Sequence, residues 1–154
     1  MAKEIERKFL VADDAWRAGV VGTVFRQGYL STVKERTVRV RVAGDRGFLT
    51  IKGITVGAVR TEFEYEIPVS DADHMLDELC EQPLIEKTRY EIEAGDLTWE
   101  IDEFAGVNDG LIVAEVELDD EAQEIALPEW VGDEVTHDPR YFNSNLIAHP
   151  FSVW

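Results

Sequence analysis

The stretch Thr37-Val38-Arg39-Val40-Arg41-Val42 sets two guanidinium side chains against three valines in strict alternation. β-Branched residues at a period of two make a strand, because successive side chains point to opposite faces. The second face is the unusual one. A half-buried strand ordinarily turns mixed polar groups and threonine to water, whereas this one carries a same-sign pair at i and i+2.

The pattern recurs on both sides of that stretch. Glu4, Glu6 and Lys8 share a face against Ile5 and Phe9, and Lys52 stands out from Leu49, Ile51 and Gly53. Glu62 and Glu64 alternate with Phe63 and Tyr65, Lys87 and Arg89 form another pair, Glu100 and Asp102 alternate with Trp99 and Ile101, and Glu115 and Glu117 with Ala114, Val116 and Leu118. Like charges two residues apart lie about 7 Å from each other and destabilise a strand unless opposite charge sits between or across from them. Two arrangements meet that need. The charged faces can meet solvent and pair across strands, or they can line a barrel wide enough to hold water, ions and a ligand. Recurrence over seven of eight expected strands, with little of the Thr, Ser and Gln that solvated faces carry, favours the lined interior. Such a lumen mixes carboxylates, the oxygen ligands that hard divalent cations prefer, with Arg and Lys that give charge-assisted hydrogen bonds to phosphate.

Eight strands are expected at about 3–11, 23–31, 35–43, 47–55, 58–68, 84–94, 97–104 and 111–119. Ser70–Cys80 reads as an amphipathic helix with Ser70 as N-cap, Asp138–His149 as a terminal helix with Pro139 in its first turn, and Asp13–Ala18 as a short turn of helix carrying Trp16. The fold class is therefore α+β, mainly β: an eight-stranded antiparallel closed barrel with a charged interior and a few peripheral helices. Closure leaves no exposed edge strand. At 154 residues, with no repeat or linker, the whole of 1–154 reads as one domain.

The net charge is −17, so bulk electrostatics repel nucleic acid and anionic membrane, and an anionic ligand needs a local pocket. The interior set above carries −2, which leaves the acidity outside. One cysteine, Cys80, and no apolar run near membrane length point to a cytoplasmic setting. His74, His137 and His149 lack metal-ligand spacing, and Cys80 belongs to a core helix, so no nucleophile stands out.

Glu4-Ile5-Glu6-Arg7-Lys8 resembles the ExExK signature of the CYTH superfamily, the triphosphate tunnel metalloenzymes. Arg39-Val40-Arg41, Thr50-Ile51-Lys52-Gly53, Glu62-Phe63-Glu64, Glu86-Lys87-Thr88-Arg89-Tyr90, Glu100-Ile101-Asp102, Glu115-Val116-Glu117 and Arg140-Tyr141-Phe142-Asn143 resemble its later motifs in the same order. The resemblance implies that Glu4, Glu6, Glu115 and Glu117 hold Mg²⁺ or Mn²⁺, and that Lys8, Arg39, Arg41, Lys52, Lys87 and Arg89 grip a triphosphate, with Lys8, Arg41 and Lys87 closest to the chemistry. Glu62, Glu64, Glu100 and Asp102 are additional or supporting carboxylates, and the resemblance implies a terminal plug at one tunnel mouth with Arg140 and Tyr141 contributing near it, ordinary docking of the chain end being the equal alternative.

The implied activity is hydrolysis of a terminal phosphoanhydride by direct in-line attack of water, with inorganic triphosphate as first substrate. Thiamine triphosphatase, nucleoside or RNA 5′-triphosphatase and class IV adenylate cyclase are rivals within the family. Short interstrand loops argue against a purine pocket, and the acidic exterior against RNA. Outside catalysis, a polyphosphate or nucleotide sensor would need the cations but not the carboxylates, and a scaffold with a salt-bridged surface would need no ligand. The residues leave open whether the chain acts alone or as a homodimer.

Overall fold

A computed structural model describes residues 3–154. Strands β1 (Lys3–Val11), β2 (Gly22–Ser31), β3 (Thr37–Ala43), β4 (Arg46–Val56), β5 (Val59–Ile67), β6 (Ile85–Ala94), β7 (Leu97–Phe104), β8 (Ile112–Glu117) and β9 (Val131–Glu134) form one sheet. Their order is β5-β4-β3-β2-β6-β7-β8-β1-β9, and β5 also pairs with β1, so the first eight close into an antiparallel barrel. β9 lies outside the ring on β1, with Phe9 opposite Glu134 and Val11 opposite Val131. All eight expected strands are present; the ninth, four residues with no alternation, is an addition.

Two of the three apolar clusters sit outside the barrel wall. The outward faces of β1, β7 and β8 supply Phe9, Trp99, Ile101, Ala114 and Val116, which are covered by Trp16 from the 3-10 turn Ala15–Arg17 and by Leu118 and Trp130. Trp99 meets Phe9 edge-on at 5.5 Å and Trp130 at 5.6 Å. A second cluster places Ala72, Leu76 and Cys80 of helix α1 (Val69–Glu78) and the residues after it on Val40 and Val42 of β3. α1 begins after Pro68 with no side-chain cap, one residue ahead of the expected Ser70 cap. The third cluster lies on the inward faces: Ile85, Phe104 and Val113, two residues from Lys87, Asp102 and Glu115, pack with Leu111 against Tyr141 and Leu146 of the C-terminal segment.

The expected helix over Asp138–His149 is broken. Pro139–Tyr141 is a 3-10 turn capped by Asp138, and α2 covers only Asn145–Ala148. Phe142 between them is extended, with φ −70° and ψ 128°. The interruption carries Asn143 into the lumen, where its Oδ1 accepts from Gln27 Nε2 at 2.9 Å and from Lys87 Nζ at 3.0 Å. A continuous helix would forgo both bonds. Among the described residues no helix is long and apolar enough to cross a membrane.

Candidate functional site

Because side chains alternate across each strand, the charged faces point into the barrel together. They enclose a cavity of about 240 Å³ lined by seven basic and seven acidic side chains. Every expected cation reaches it. Arg39 and Arg41 converge on one Glu64 oxygen at 3.5 and 3.3 Å, and Thr50 Oγ1 donates to the same oxygen at 2.9 Å. Lys52 lies 3.2 Å from both Glu4 and Glu62. Lys8 Nζ is 3.6 Å from Glu115 and donates to the Tyr141 carbonyl at 3.3 Å.

Deeper in, Lys87 Nζ donates to Asp102 at 2.8 Å, while Arg89 clasps that carboxylate with two bonds of 2.7 and 2.9 Å and reaches Glu100 at 3.0 Å. Asp102, with none of its surface exposed, is a counter-ion buried beneath Lys87 and Arg89 rather than part of the lining. Phe25 floors the group, its ring centroid 4.8 Å from the guanidinium carbons of both Arg41 and Arg89.

This wall has positive charge to spare. Burial, with Arg39 and Arg89 nearby, draws the Arg41 pKa down to about 10. Burial, with Arg89 nearby, likewise draws Lys87 down to about 8, against the pull of Asp102. The Nε–H groups of Arg39 and Arg41 are buried and have no partner among the described residues. A polyanion would supply both the acceptors and the charge.

The opposite wall is short of positive charge. β1 and β8 set Glu6 directly across from Glu117, and β7 sets Glu100 across from Glu115. Like charges so placed repel. Against burial, Lys8 together with Arg89 and Lys87 holds the Glu115 carboxyl below the ordinary value. Glu4, despite burial, is held down to about 2 by a hydrogen bond shared with Glu62 and by Lys52; burial and that shared bond push Glu62 up to about 7. Glu6 has neither ion pair nor side-chain hydrogen bond among the described residues, and burial with Glu115 and Glu4 nearby raises its carboxyl well above normal. Glu117 is raised by burial and by Glu4. No three carboxylates among the described residues already stand in ligating arrangement. The donor set nevertheless fits a hard divalent cation: it is all oxygen, and the uncompensated Glu6–Glu117 pair is what such an ion would neutralise.

Arg140 and Tyr141 fall outside the lining. Arg140 is exposed, pairs with Asp138 at 2.8 Å and stacks over Trp154. Tyr141 packs edge-on against Trp154 and offers only its carbonyl, to Lys8. Phe142, Asn143 and Ser144 take the lumenal places instead. Sequence reasoning also passed over Tyr29, Thr37, Gln27 and Arg60. Arg60 had a signal: it continues the lumenal period of Glu62 and Glu64 by one more step. Gln27 and Asn143 are neutral, so a search for charge does not find them.

A family model of the CYTH domain matches residues 2–150. An inorganic triphosphatase of Acetivibrio thermocellus is 52% identical over 151 residues, covering 98% of this chain and 97% of that protein. One from Nitrosomonas europaea is 42% identical over 149 residues, covering 93% and 95%. Among solved structures, an inorganic triphosphatase superposes with a TM-score of 0.66 at 38% identity over 93% of this chain and 96% of that one. A putative adenylate cyclase from Bacillus halodurans, at 16% identity and a TM-score of 0.61 over 79% and 84%, shares the fold.

Proposed function

The chain belongs to the CYTH domain family, and from that premise we propose that it is a metal-dependent inorganic triphosphatase, cleaving triphosphate to pyrophosphate and phosphate inside the barrel. The observation that carries this reading is the division of one enclosed lumen into a wall of under-neutralised cations with unspent donors and a wall holding an uncompensated carboxylate pair. The names of the 52% and 42% identical relatives support the choice of substrate.

Arg39, Arg41, Lys52, Lys87 and Arg89 bind phosphate oxygens in this reading, and Lys8, Arg41 and Lys87 offset the charge that moves onto the leaving pyrophosphate. Asp102 keeps Lys87 and Arg89 in place. Asn143 holds Lys87 from the other side. Glu6 and Glu117, assisted by Glu115 and Glu4, would hold Mg²⁺ or Mn²⁺; when bound, such an ion supplies charge neutralisation at the phosphate and a polarised water. Lys52 holds Glu4 by an ion pair. Cys80 lies outside the lumenal lining, packed under helix α1, in keeping with direct attack by water. The single, buried Cys80 suits a cytoplasmic location.

Phosphate release from triphosphate, thiamine triphosphate and ATP, each with Mg²⁺ and with EDTA, tests the reading. Fast, chelator-sensitive release from triphosphate is expected. Equal slow rates on all three, or calorimetric binding of triphosphate without turnover, would overturn it in favour of an unspecialised hydrolase or a sensor.

A further inference from the structure

Six of the seven basic side chains that line the cavity have a carboxylate within ion-pair distance; Arg60 has none among the described residues. It lies at the mouth. The β4–β5 turn residues Gly57 and Ala58 line the same rim, whereas Lys87 sits at the deep end against fully buried Asp102. Arg60 pairs with Glu4 on β1 and Thr55 on β4.

Two neutral oxygens fix its guanidinium. Nε donates to the Gly53 carbonyl at 2.6 Å, beside the register shift between Lys52 and Thr55, and Nη2 donates to Thr37 Oγ1 at 2.8 Å. Thr37 is itself held by its bond to the Val33 carbonyl at 3.2 Å. A guanidinium has five N–H donors, so three remain unspent on a cation aimed and locked without a counter-ion. Partial burial lowers its pKa, with Glu4 opposing. The other lumenal cations share their charge with carboxylates; this one keeps its charge for something from outside.

What that something is follows from the chemistry of the chain ends. A free triphosphate ends in an unesterified phosphate on both sides. The far phosphate of a nucleotide is an ester, with one ionisable oxygen fewer and a bulky substituent. If the deep cations hold one end, a fork-shaped cation at the rim rewards a second free end and gains less from an ester. We propose that Arg60 is a specificity-determining residue that reads the unesterified far phosphate and so favours inorganic triphosphate over nucleoside triphosphates. This rests on the triphosphatase reading above.

The test compares wild type, Arg60→Ala and Arg60→Lys on triphosphate and ATP with Mg²⁺, alongside melting temperatures. Arg60→Ala should lower kcat/KM on triphosphate about 10- to 100-fold, the scale of a lost charge-assisted contact, mainly through KM, while ATP changes by less than about threefold on the same scale. Arg60→Lys, which keeps the charge without the fork, should fall between. Equal losses on both substrates, or no loss on triphosphate, would overturn the proposal. Calorimetric binding of triphosphate and ATP to the same proteins gives this comparison without turnover. A wild type that binds but does not hydrolyse would sink the enzymatic reading and still decide the role of Arg60. Should Arg60→Ala fail to fold, Arg60→Lys and Arg60→Gln carry the same comparison.

Discussion

Glu6→Gln should raise stability and abolish function, two effects of opposite sign from one atom's exchange. Glu6 faces Glu117 across the β1–β8 ladder and makes no ion pair among the described residues, and burial with Glu115 and Glu4 nearby raises its carboxyl well above normal despite Lys8 and Lys52. A like-charge pair at directly opposed positions costs on the order of 0.2–1 kcal/mol. Glutamine keeps the shape and drops the charge. In EDTA the variant should therefore melt above wild type, by up to about 2–4 °C if the full 1 kcal/mol is recovered in a chain of this length. With Mg²⁺ at a hundred times its dissociation constant, wild type gains about 2.7 kcal/mol from linkage, roughly 5–11 °C at 2–4 °C per kcal/mol, and the variant much less. Turnover of triphosphate should drop at least about 100-fold, since loss of an outer-sphere contact alone costs 10- to 100-fold. Scanning calorimetry in EDTA and in Mg²⁺, with phosphate release on the same samples, reads all three. A variant that melts below wild type in EDTA, or gains as much from Mg²⁺, would refute the reasoning that Glu6 waits for a cation.

Lys87, drawn by burial to about 8, should lose its proton as pH rises through that value; kcat/KM, which reports the free enzyme, should fall on the alkaline side there, and Lys87→Arg should move that limb upward. A profile flat through pH 9 in wild type would contradict it. The linked stability has the other sign. Its folded pKa lies below the unfolded value of about 10.4, so the unfolded chain binds more protons between about 8 and 10.4 and Lys87 contributes rising stability across that window. Asp102→Asn removes the buried counter-ion of Lys87 and Arg89, which should cost about 3 kcal/mol, the low end for a broken buried pair because Arg89 retains Glu100. Its melting temperature should fall by roughly 6–12 °C and recover in part with added triphosphate; an unchanged melting temperature would show that the pair is not needed.

The barrel was legible because its decisive signal is local. In Thr37–Val42 the valines and arginines separate by strict alternation, and no tertiary information is needed to see that the two faces want different surroundings. Closure, with Lys3 meeting Thr61, follows from strand count and the need to hide edges. What the sequence concealed depends on partners far along the chain. β9 exists only because β1 offers a free stretch near Phe9 and Val11, and Val131–Glu134 has no pattern of its own. The C-terminal helix reads as continuous over Asp138–His149, yet the demand of Lys87 and Gln27 for Asn143 breaks it. Arg60 escaped because a search for same-sign pairs stops at Glu62, although the lumenal face does not. Arg140 shows the opposite case: a charged residue in a matching motif that lies outside the lining and pairs with Asp138 two residues away.

Crystals soaked with triphosphate and Mn²⁺, with the manganese located by its anomalous signal, address the lumen itself. The account predicts one or more manganese peaks within bonding distance of Glu6 and Glu117 and phosphate density along Arg39, Arg41, Lys87 and Arg89. Manganese bound only on the outer surface, with an empty lumen, would contradict it.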